Sequence, residues 1–397
     1  MTARSIPDGR DAPAASPDAP AAARWAAPVR DTGLRIDVVT DLDDLVALSE
    51  PWSALLHATP DATAFASPAF VLTWYRHFEV PGGVYVATVW RGDTLVGLAP
   101  FARTDIGWGP ARATLLVSAG TEHGDYGDPL LGPDPVPVAD ALVDHLAALT
   151  RRRTVVNLRR LRVNGPAWAA VYARPDLGRT PMGSLADAAV VRFDQMDDPT
   201  AVLRRLGRKH EVPRLLRRLG EAHGKVLYVA GDPDLDAALD AMRDMLHRRW
   251  GPDDGPKLFR SSVREAFTRE SVAEMAAAGL ARVDSLTAGG TRVSVSTMLI
   301  VGDRVVDDST AMDPDYARFG IGHATLHEAL HHAYATGIRE FDMRAGDFPY
   351  KERWANATIR TRSLALAPPG HQGEVLRRAR RVAMSVRARR LARLTAD

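Results

Sequence analysis

The chain has 397 residues, of which 46% are hydrophobic and 25% charged, and its formal net charge at pH 7 is +2. A chain of this length is expected to form two or three domains or one large one, and it buries enough surface to fold without covalent cross-links. It has no cysteine, which excludes disulfides, zinc–thiolate sites, iron–sulfur clusters and a cysteine nucleophile. No stretch approaches about 18 consecutive apolar residues, so a membrane-spanning helix is excluded.

The first 33 residues are rich in Ala, Pro, Asp and Arg and show no apolar periodicity. Such a segment cannot bury enough surface to offset the entropy of ordering it, so a disordered leader is expected over 1–33. The leader lacks the continuous apolar core of a secretory signal, and the protein is therefore expected to be cytoplasmic.

From Leu34 onward, strand-like and helix-like segments alternate, which predicts an α/β fold. The first half predicts a strand at 34–39, a helix through 42–55, a helix opened by Ser67 and Pro68, a hairpin at 84–100 and a strand near 113–117. Ser before Pro is typical of a helix start, and the Gly-Asp turn at 92–93 is typical of a hairpin.

A glycine-flanked loop at 120–128 follows the last of these strands. Its polar and ionisable residues are His123, Asp125, Tyr126 and Asp128. Such groups on loops often face a cleft, so they are candidates for binding an acceptor substrate; a solvated turn is the alternative.

The second half, from about residue 188, predicts a similar succession of elements. It comprises strands at 189–193, 225–229, 304–311, 339–343 and 358–366, a hairpin at 280–301, and helices at 233–249, 262–278 and 322–336. The hairpins at 84–100 and 280–301 are alike, since each has two strands around a glycine turn. Two similar units in tandem would explain this weak repeat, and chance resemblance is the alternative.

Two segments are strongly basic, one at 204–218 and one at 374–394. Apolar residues at helical spacing run through both, which predicts amphipathic helices with an arginine-rich face. Pro213 is expected to kink or break the first helix. The functional alternatives to a solvated face are nucleic-acid binding by the first segment and contact of the second with an anionic membrane surface.

The most informative stretch is the glycine turn Phe319-Gly-Ile-Gly322, which joins a predicted strand to a helix. Glycines let backbone approach a ligand closely, and a helix N-terminus favours anions, so the turn suits a pyrophosphate. A tight turn without a ligand has the same pattern. The turn lacks the third glycine of a dinucleotide fingerprint and the Gly-Lys-Ser/Thr of a P-loop, which argues against NAD and ATP.

Three histidines follow on the same predicted helix at intervals of four residues, His323, His327 and His331. Two histidines at this spacing can ligate zinc, but the further acidic ligand of zinc proteases is absent. A polar helix face is the preferred interpretation, and no metal is expected.

A resemblance to a known family rests on Arg344-Ala-Gly-Asp-Phe-Pro-Tyr-Lys-Glu-Arg-Trp354, which follows a predicted strand that carries Asp342. The order of strand, glycine turn, helix, strand with Asp, and Arg-x-Gly-Asp-x-x-Tyr-Lys-x-x-Trp resembles the CelD-like branch of the GNAT acyltransferase superfamily, which is related to the FemAB peptidyltransferases. The resemblance covers most of residues 36–366. It departs at Ala317, where the general GNAT signature has Arg or Gln.

The resemblance implies an α/β fold of two tandem GNAT-like domains with mixed central sheets. An acceptor-side domain would occupy 34–187 and a donor-side domain 188–368, followed by a basic tail over 369–397. The implied reaction is transfer of an acyl group from acyl-CoA, acetyl-CoA above all, to a small-molecule amine such as a sugar or a cell-envelope precursor. The alternatives are a FemAB-like transferase that uses aminoacyl-tRNA and a non-catalytic binding protein of the same fold.

The resemblance also implies roles for individual residues. The cradle for the CoA pyrophosphate would be Phe319, Gly320, Ile321, Gly322 and His323. A backbone N–H within 308–311 would stabilise the oxyanion, Tyr350 would protonate the leaving thiolate, and Asp342 and Asp347 are candidate bases. Asp347 has the alternative role of a helix cap. Lys351 would bind an anionic substrate or a CoA phosphate, or pair with Asp342.

Overall fold

The computed structural model describes residues 33–78, 83–106, 113–254, 257–346, 348–368 and 370. The expected leader (apart from Gly33), nearly all of the basic tail, and Asp347 lie outside the described residues. In the part of the chain that the structure describes, no helix is long and apolar enough to cross a bilayer.

The strands are, in chain order, β1 (Leu34–Val39), β2 (Val84–Arg91), β3 (Thr94–Ile106), β4 (Ala113–Ser118), β5 (Leu130–Leu131), β6 (Thr154–Arg162), β7 (Gly178–Arg192), β8 (Val226–Val229), β9 (Ala281–Ala288), β10 (Thr291–Val301), β11 (Arg304–Met312), β12 (Glu340–Ala345) and β13 (Ala357–Ala367). The helices are α1 (Leu42–Ala47), α2 (Ser49–Ala58), α3 (Pro68–Phe78), α4 (Pro135–Thr150), α5 (Pro166–Tyr172), α6 (Pro199–Lys209), α7 (Val212–His223), α8 (Leu235–Asp254), α9 (Ser262–Ala277), α10 (Ile321–Ala335) and α11 (Pro349–Glu352).

The strands form one mixed sheet in the order β1-β2-β3-β4-β6-β13-β7-β12-β11-β10-β9-β8, with β5 beside β3. The predicted α/β fold with mixed sheets is confirmed, and the sheets of the two halves are continuous. Strand β13, the last in the described residues, joins them, because it pairs antiparallel with β6 on one side and with β7 on the other. The predicted division at residues 187/188 falls inside β7.

Each element predicted within the described residues has a counterpart in the structure, with two subdivisions, whereas the helix predicted at 374–394 lies outside the described residues. The helix predicted through 42–55 is divided into α1 and α2. The basic helix predicted at 204–218 is divided into α6 and α7 by Glu211, whose φ of 56° is left-handed. Leu203 and Leu219 are buried whereas the arginines of both helices are exposed, so the predicted amphipathic pattern is confirmed.

The strands β11 and β12 decide where a ligand can enter the sheet. They run parallel and pair only from Arg304 to Val306, opposite 340–342. Beyond Val306 they diverge, and α10, which connects them, begins beside the opening. A gap between parallel strands at their carboxyl ends is a common place for ligands in α/β proteins.

Gly320 ends the turn before α10 with a left-handed φ of 61°. A Cβ at this position would lie 2.7 Å from Cδ1 of Leu215 in α7, so any other residue would be strained in this conformation and would also have to displace the end of the Leu215 side chain.

We expect Gly320→Ala to destabilise the fold by about 2–3 kcal/mol, because it adds left-handed strain to a clash. Gly337→Ala is the matched control, since its φ is 82° and a Cβ there would meet nothing within 4 Å. In Gly337→Ala, the left-handed strain alone should lower the free energy of unfolding. Urea unfolding of both compares the losses, and equal losses would contradict a role for Leu215.

Candidate active site

A cleft of about 780 Å³ occupies the opening between β11 and β12. Its walls are the second half of β11, the first turn of α10, the end of β12, the short helix α11 and the end of α8. The polar and glycine residues among its lining are Asp125, Arg249, Ser296, Asp307, Asp308, Ser309, Thr310, Asp313, Gly320, Gly322, His323, Thr325, Arg344, Tyr350 and Lys351. Its volume lies within the range of about 300–1,000 Å³ that is usual for small-molecule and cofactor sites.

The first turn of α10 forms one end of the cleft. Of the predicted cradle, four residues line it: Gly320, Ile321, Gly322 and His323. The first backbone N–H groups of a helix have no acceptor within it, and the helix dipole makes this end electropositive. The side chain of Phe319 instead packs in the core, with its ring edge-on to His223 at 5.3 Å between centroids.

Arg344 bridges the two diverging strands. Its guanidinium donates to the Oδ2 atom of Asp125 at 2.8 Å, and to Oδ1 and the carbonyl of Asp308 at 2.6 and 2.7 Å. Burial opposes the charge of Arg344, but the carboxylates of Asp308 and Asp125 hold its pKa above the usual value. Burial likewise opposes the charge of Asp125, and the Arg344 hydrogen bond lowers the pKa of that carboxyl below its usual value.

Asp342, a predicted base, is buried and does not line the cleft. Its carboxylate accepts from the hydroxyl of Tyr126 and, at 2.7 Å, from the backbone N–H of Arg344. Burial raises the pKa of Asp342. Through these two hydrogen bonds, Asp342 fixes the side chain of Tyr126 and the left-handed backbone of Arg344, whose φ is 64°.

The other predicted substrate residues of the 120–128 loop are also held by partners rather than solvated. Asp128 accepts from the backbone N–H of Arg162 at 3.0 Å, and burial raises its pKa. His123 stacks on Phe78 at 4.4 Å between centroids and lines a second, smaller pocket. Of the predicted substrate residues in this loop, Asp125 lines the large cleft and His123 lines the smaller pocket.

Tyr350 and Lys351 stand at the α11 side of the cleft. Tyr350 is 43% exposed, and burial of its hydroxyl end raises its pKa to about 12. Lys351 is buried, and its ammonium donates to the carbonyl of Arg344 at 3.2 Å rather than to Asp342. Burial lowers the pKa of Lys351.

Asp307 is a cleft residue that sequence reasoning missed. It accepts from the hydroxyl of Thr310 at 2.9 Å, and burial raises its pKa to about 6. The pairing of β10 with β11 skips Asp308, which marks a β-bulge that brings two adjacent carboxylates to the cleft. Two acidic residues in the middle of a valine-rich strand are the signal that could have pointed to it.

The histidines of α10 do not assemble a metal site. His323 stacks parallel to His210 of α6–α7 with 5.2 Å between centroids, and Nδ1 of His327 lies 3.0 Å from a Glu328 oxygen. Within the described ranges, no group of three or more His, Cys, Asp or Glu side chains is arranged to hold a metal ion. These rings pack α6 and α7 against the helix that begins at the cleft.

Residues 207–352 match the family described as Acetyltransferase (GNAT) domain. The second half of the chain contains a GNAT domain. The matched range runs from α6 to α11 and includes the opening between β11 and β12 and every cleft residue except Asp125. The predicted resemblance to the GNAT superfamily is thus confirmed for residues 207–352.

Three solved structures share the fold over most of the chain, beyond the GNAT domain itself. FemX is 9% identical with a TM-score of 0.57, covering 81% of this chain and 96% of that one. The C-terminal DUF2156 domain of an Agrobacterium fabrum protein named as a lysylphosphatidylglycerol synthetase is 11% identical with a TM-score of 0.53, covering 81% and 91%. A conserved Bacteroides thetaiotaomicron protein of unknown function is 11% identical with a TM-score of 0.50, covering 84% and 100%.

These likenesses concern the fold alone. No curated protein matches the chain. The GNAT domain supports an acyltransferase, while the donor and the acceptor have to be argued from the cleft.

Proposed function

We propose that this protein transfers an acyl group, acetyl first among candidates, from acyl-CoA to the amine of a small molecule. The observation that carries the proposal is the opening between β11 and β12, with the first turn of α10 at one end and Asp307 and Tyr350 in its walls. A long, narrow thioester fits such an opening, since it can lie between the strands with its phosphates outside.

The donor would bind through the first turn of α10. The backbone N–H groups of Ile321 and Gly322 would receive the pyrophosphate, because a helix N-terminus offers unpaired donors and a positive dipole end. Two residues of α8, Arg249 and Trp250, line the same cleft. Trp250 is 49% exposed, and the guanidinium of Arg249 lies 5.0 Å from the centre of the Trp250 ring. They are suited to the adenine ring and the 3′-phosphate.

The acceptor amine would lose its proton to Asp307, directly or through a water. A carboxyl with a pKa of about 6 is ionised at neutral pH, yet basic enough to accept a proton. The amine nitrogen then bonds to the thioester carbon, and a backbone N–H within 308–311 donates to the oxyanion. As the C–S bond breaks, the hydroxyl of Tyr350 gives its proton to the thiolate; a pKa of about 12 keeps that hydroxyl protonated.

Binding of CoA is the first test. We expect CoA and acetyl-CoA to raise the melting temperature, with about 2.7 kcal/mol of stabilisation at 100 times the dissociation constant. Gly322→Val should weaken CoA binding at least ten-fold, because a Cβ there would lie 2.7 Å from Sδ of Met312 and drive side chains into the cleft. Isothermal titration calorimetry measures the CoA affinity of the wild type and of Gly322→Val.

The matched control is Gly220→Val in α7, where a Cβ would make only an ordinary 3.7 Å contact with Val226. This variant should bind CoA as the wild type does. Failure of every acyl-CoA to bind the wild type would overturn the proposal.

One observation favours a second candidate, a transferase that takes its acyl group from aminoacyl-tRNA. Helices α6 and α7 present an exposed basic face of Arg204, Arg205, Arg208, Lys209, Arg214, Arg217 and Arg218. A titration with tRNA, in which affinity falls steeply with salt concentration, would support this candidate. Binding of tRNA without binding of CoA decides in its favour, and binding of neither leaves a non-catalytic protein of this fold.

A further inference from the structure

A second pocket of about 260 Å³ lies between α3, α9 and the sheet. Its lining is largely apolar and includes the rings of Phe65, Phe70 and Phe267. Asp308, Ser309 and Arg344 line both this pocket and the large cleft, so the two cavities meet at the bulged part of β11. The smaller pocket therefore ends where the acyl group would be transferred.

Arg264 of α9 lines this pocket without a carboxylate partner. Within the described part of the chain, no Asp or Glu oxygen lies within ion-pair distance of its guanidinium, and Glu122, in the same pocket, pairs with Arg159 at 3.3 Å. Burial lowers the pKa of Arg264, which is the effect of a cation that is desolvated more than it is compensated.

The contact of Arg264 with His123 does not supply the missing acceptor. Nη1 of Arg264 lies 3.1 Å from Nε2 of His123, and Nε1 of Trp74 lies 3.2 Å from Nδ1 of the same ring. An indole N–H can only donate, so Nδ1 of the neutral imidazole accepts from Trp74 and its hydrogen is on Nε2. Two donors, one of them charged, therefore face each other in the wall of the pocket.

We propose that this pocket binds the acceptor and that Arg264 and the Nε2–H of His123 together hold an anionic group on it. The acceptor class is a small amine with an apolar or aromatic body and a carboxylate, its amine directed to Asp307 and Asp308. This inference rests on the proposed function, and it names the substrate class of the same site.

The pocket's chemistry narrows the acceptor further. The face that the three phenylalanine rings form offers no hydrogen-bond partners, and burying an unpaired hydroxyl against it costs free energy. An apolar body loses nothing there and gains contact with the rings. A volume below the usual range of drug-sized sites favours a compact molecule over a large precursor.

The experiment uses pairs of amines that differ only in the carboxylate: L-phenylalanine with 2-phenylethylamine, L-leucine with 3-methylbutylamine, and 6-aminohexanoate with hexylamine. Each is titrated calorimetrically into the full-length protein, with and without excess CoA. In at least one pair we expect the carboxylate to increase affinity ten-fold or more. Arg264→Gln should abolish that difference, and Arg264→Lys should restore part of it.

The matched control is Arg260→Gln, which removes an exposed arginine four residues away that does not line the pocket. It should keep the preference for the carboxylate. Unchanged CoA affinity in Arg264→Gln shows that the variant is folded. If CoA binds but no carboxylate is preferred, or if the preference survives Arg264→Gln, the acceptor proposal is wrong while the proposed function stands. If a carboxylate is preferred but no acyl-CoA binds, the pocket assignment stands and the proposed function fails.

Discussion

Arg344→Met is expected to lower the free energy of unfolding by about 3–5 kcal/mol at pH 8, the largest effect that we expect of any single substitution. Arg344 makes three hydrogen bonds to Asp125 and Asp308, and its side chain is only 21% exposed. Removing it leaves two largely buried carboxylates short of their partner, which costs more than the pair contributed. Urea unfolding measures the loss.

The pH dependence of this loss gives a second readout. Burial already raises the folded-state pKa of Asp308 above its ordinary value, and loss of Arg344 raises it further. The pKa of Asp125 also rises in the variant, although Arg160 still pairs with that carboxylate at 3.0 Å. Such groups are best tolerated at low pH and cost stability as the pH rises through the folded pKa. The difference between wild type and variant should therefore be smaller at pH 5 than at pH 8.

Two further variants complete the test of Arg344. Adding Asp308→Asn to Arg344→Met should recover part of the loss, since one unpaired charge is removed. Arg360→Met is the control, because Arg360 pairs with Asp187 at the surface at 3.5 Å and should matter by about 1 kcal/mol or less. A loss of similar size in Arg344→Met and Arg360→Met would contradict the bridging role of Arg344.

Asp307→Asn is expected to lower the turnover of acyl transfer about 10²–10⁴-fold, because it removes the proposed general base while keeping the shape of the side chain. In the wild type, kcat/KM should rise with pH through a midpoint near 6, the pKa of Asp307. The variant should lose this acid limb. Steady-state kinetics between pH 5 and pH 8 measures both effects, and CoA affinity should be unchanged.

The same substitution should stabilise the fold above pH 6. Burial raises the folded-state pKa of Asp307, so its charge costs stability once the pH exceeds that pKa and costs nothing well below the unfolded value of 3.8. Asp307→Asn removes this cost, and we expect a gain of about 1–3 kcal/mol at pH 8 that vanishes near pH 4. Lower activity with higher stability is typical of a catalytic group held in an unfavourable environment.

Thr310→Val is the companion variant for Asp307. The Thr310 hydroxyl donates to the carboxylate at 2.9 Å and so lowers its pKa. Its removal should move the acid limb to higher pH without abolishing turnover. If the acid limb of the kcat/KM profile were unchanged in both Asp307→Asn and Thr310→Val, Asp307 would not be the general base.

Local signals account for what the sequence predicted correctly. The turn at Gly320 and Gly322, the helix α10 and the strand before it depend on residues close together in the chain. The unpredicted elements β5, α4, β6 and α5 lie in the 129–187 stretch. Two of them are helices that begin with proline, a start signal that was available there as it was at Pro68.

Non-local contacts account for what the sequence could not give. Asp125 is 219 positions from its partner Arg344, so its place in the cleft depends on how the two halves meet. The bulge that presents Asp307 and Asp308 depends on the register of β10 against β11. Conversely, the predicted base Asp342 lies in the expected strand, but its carboxylate accepts from the hydroxyl of Tyr126 in the other half and does not line the cleft.

The position of β13 between β6 and β7 has a consequence for how the chain reaches its native state. During synthesis, β6 emerges long before its neighbour, and its open edge has to wait until residues 357–367 have left the ribosome. Until then both halves carry an exposed strand edge, which is a template for pairing with other chains. The nascent protein is therefore most in need of chaperone protection during this interval, and neither half is expected to be a well-behaved fragment when expressed alone.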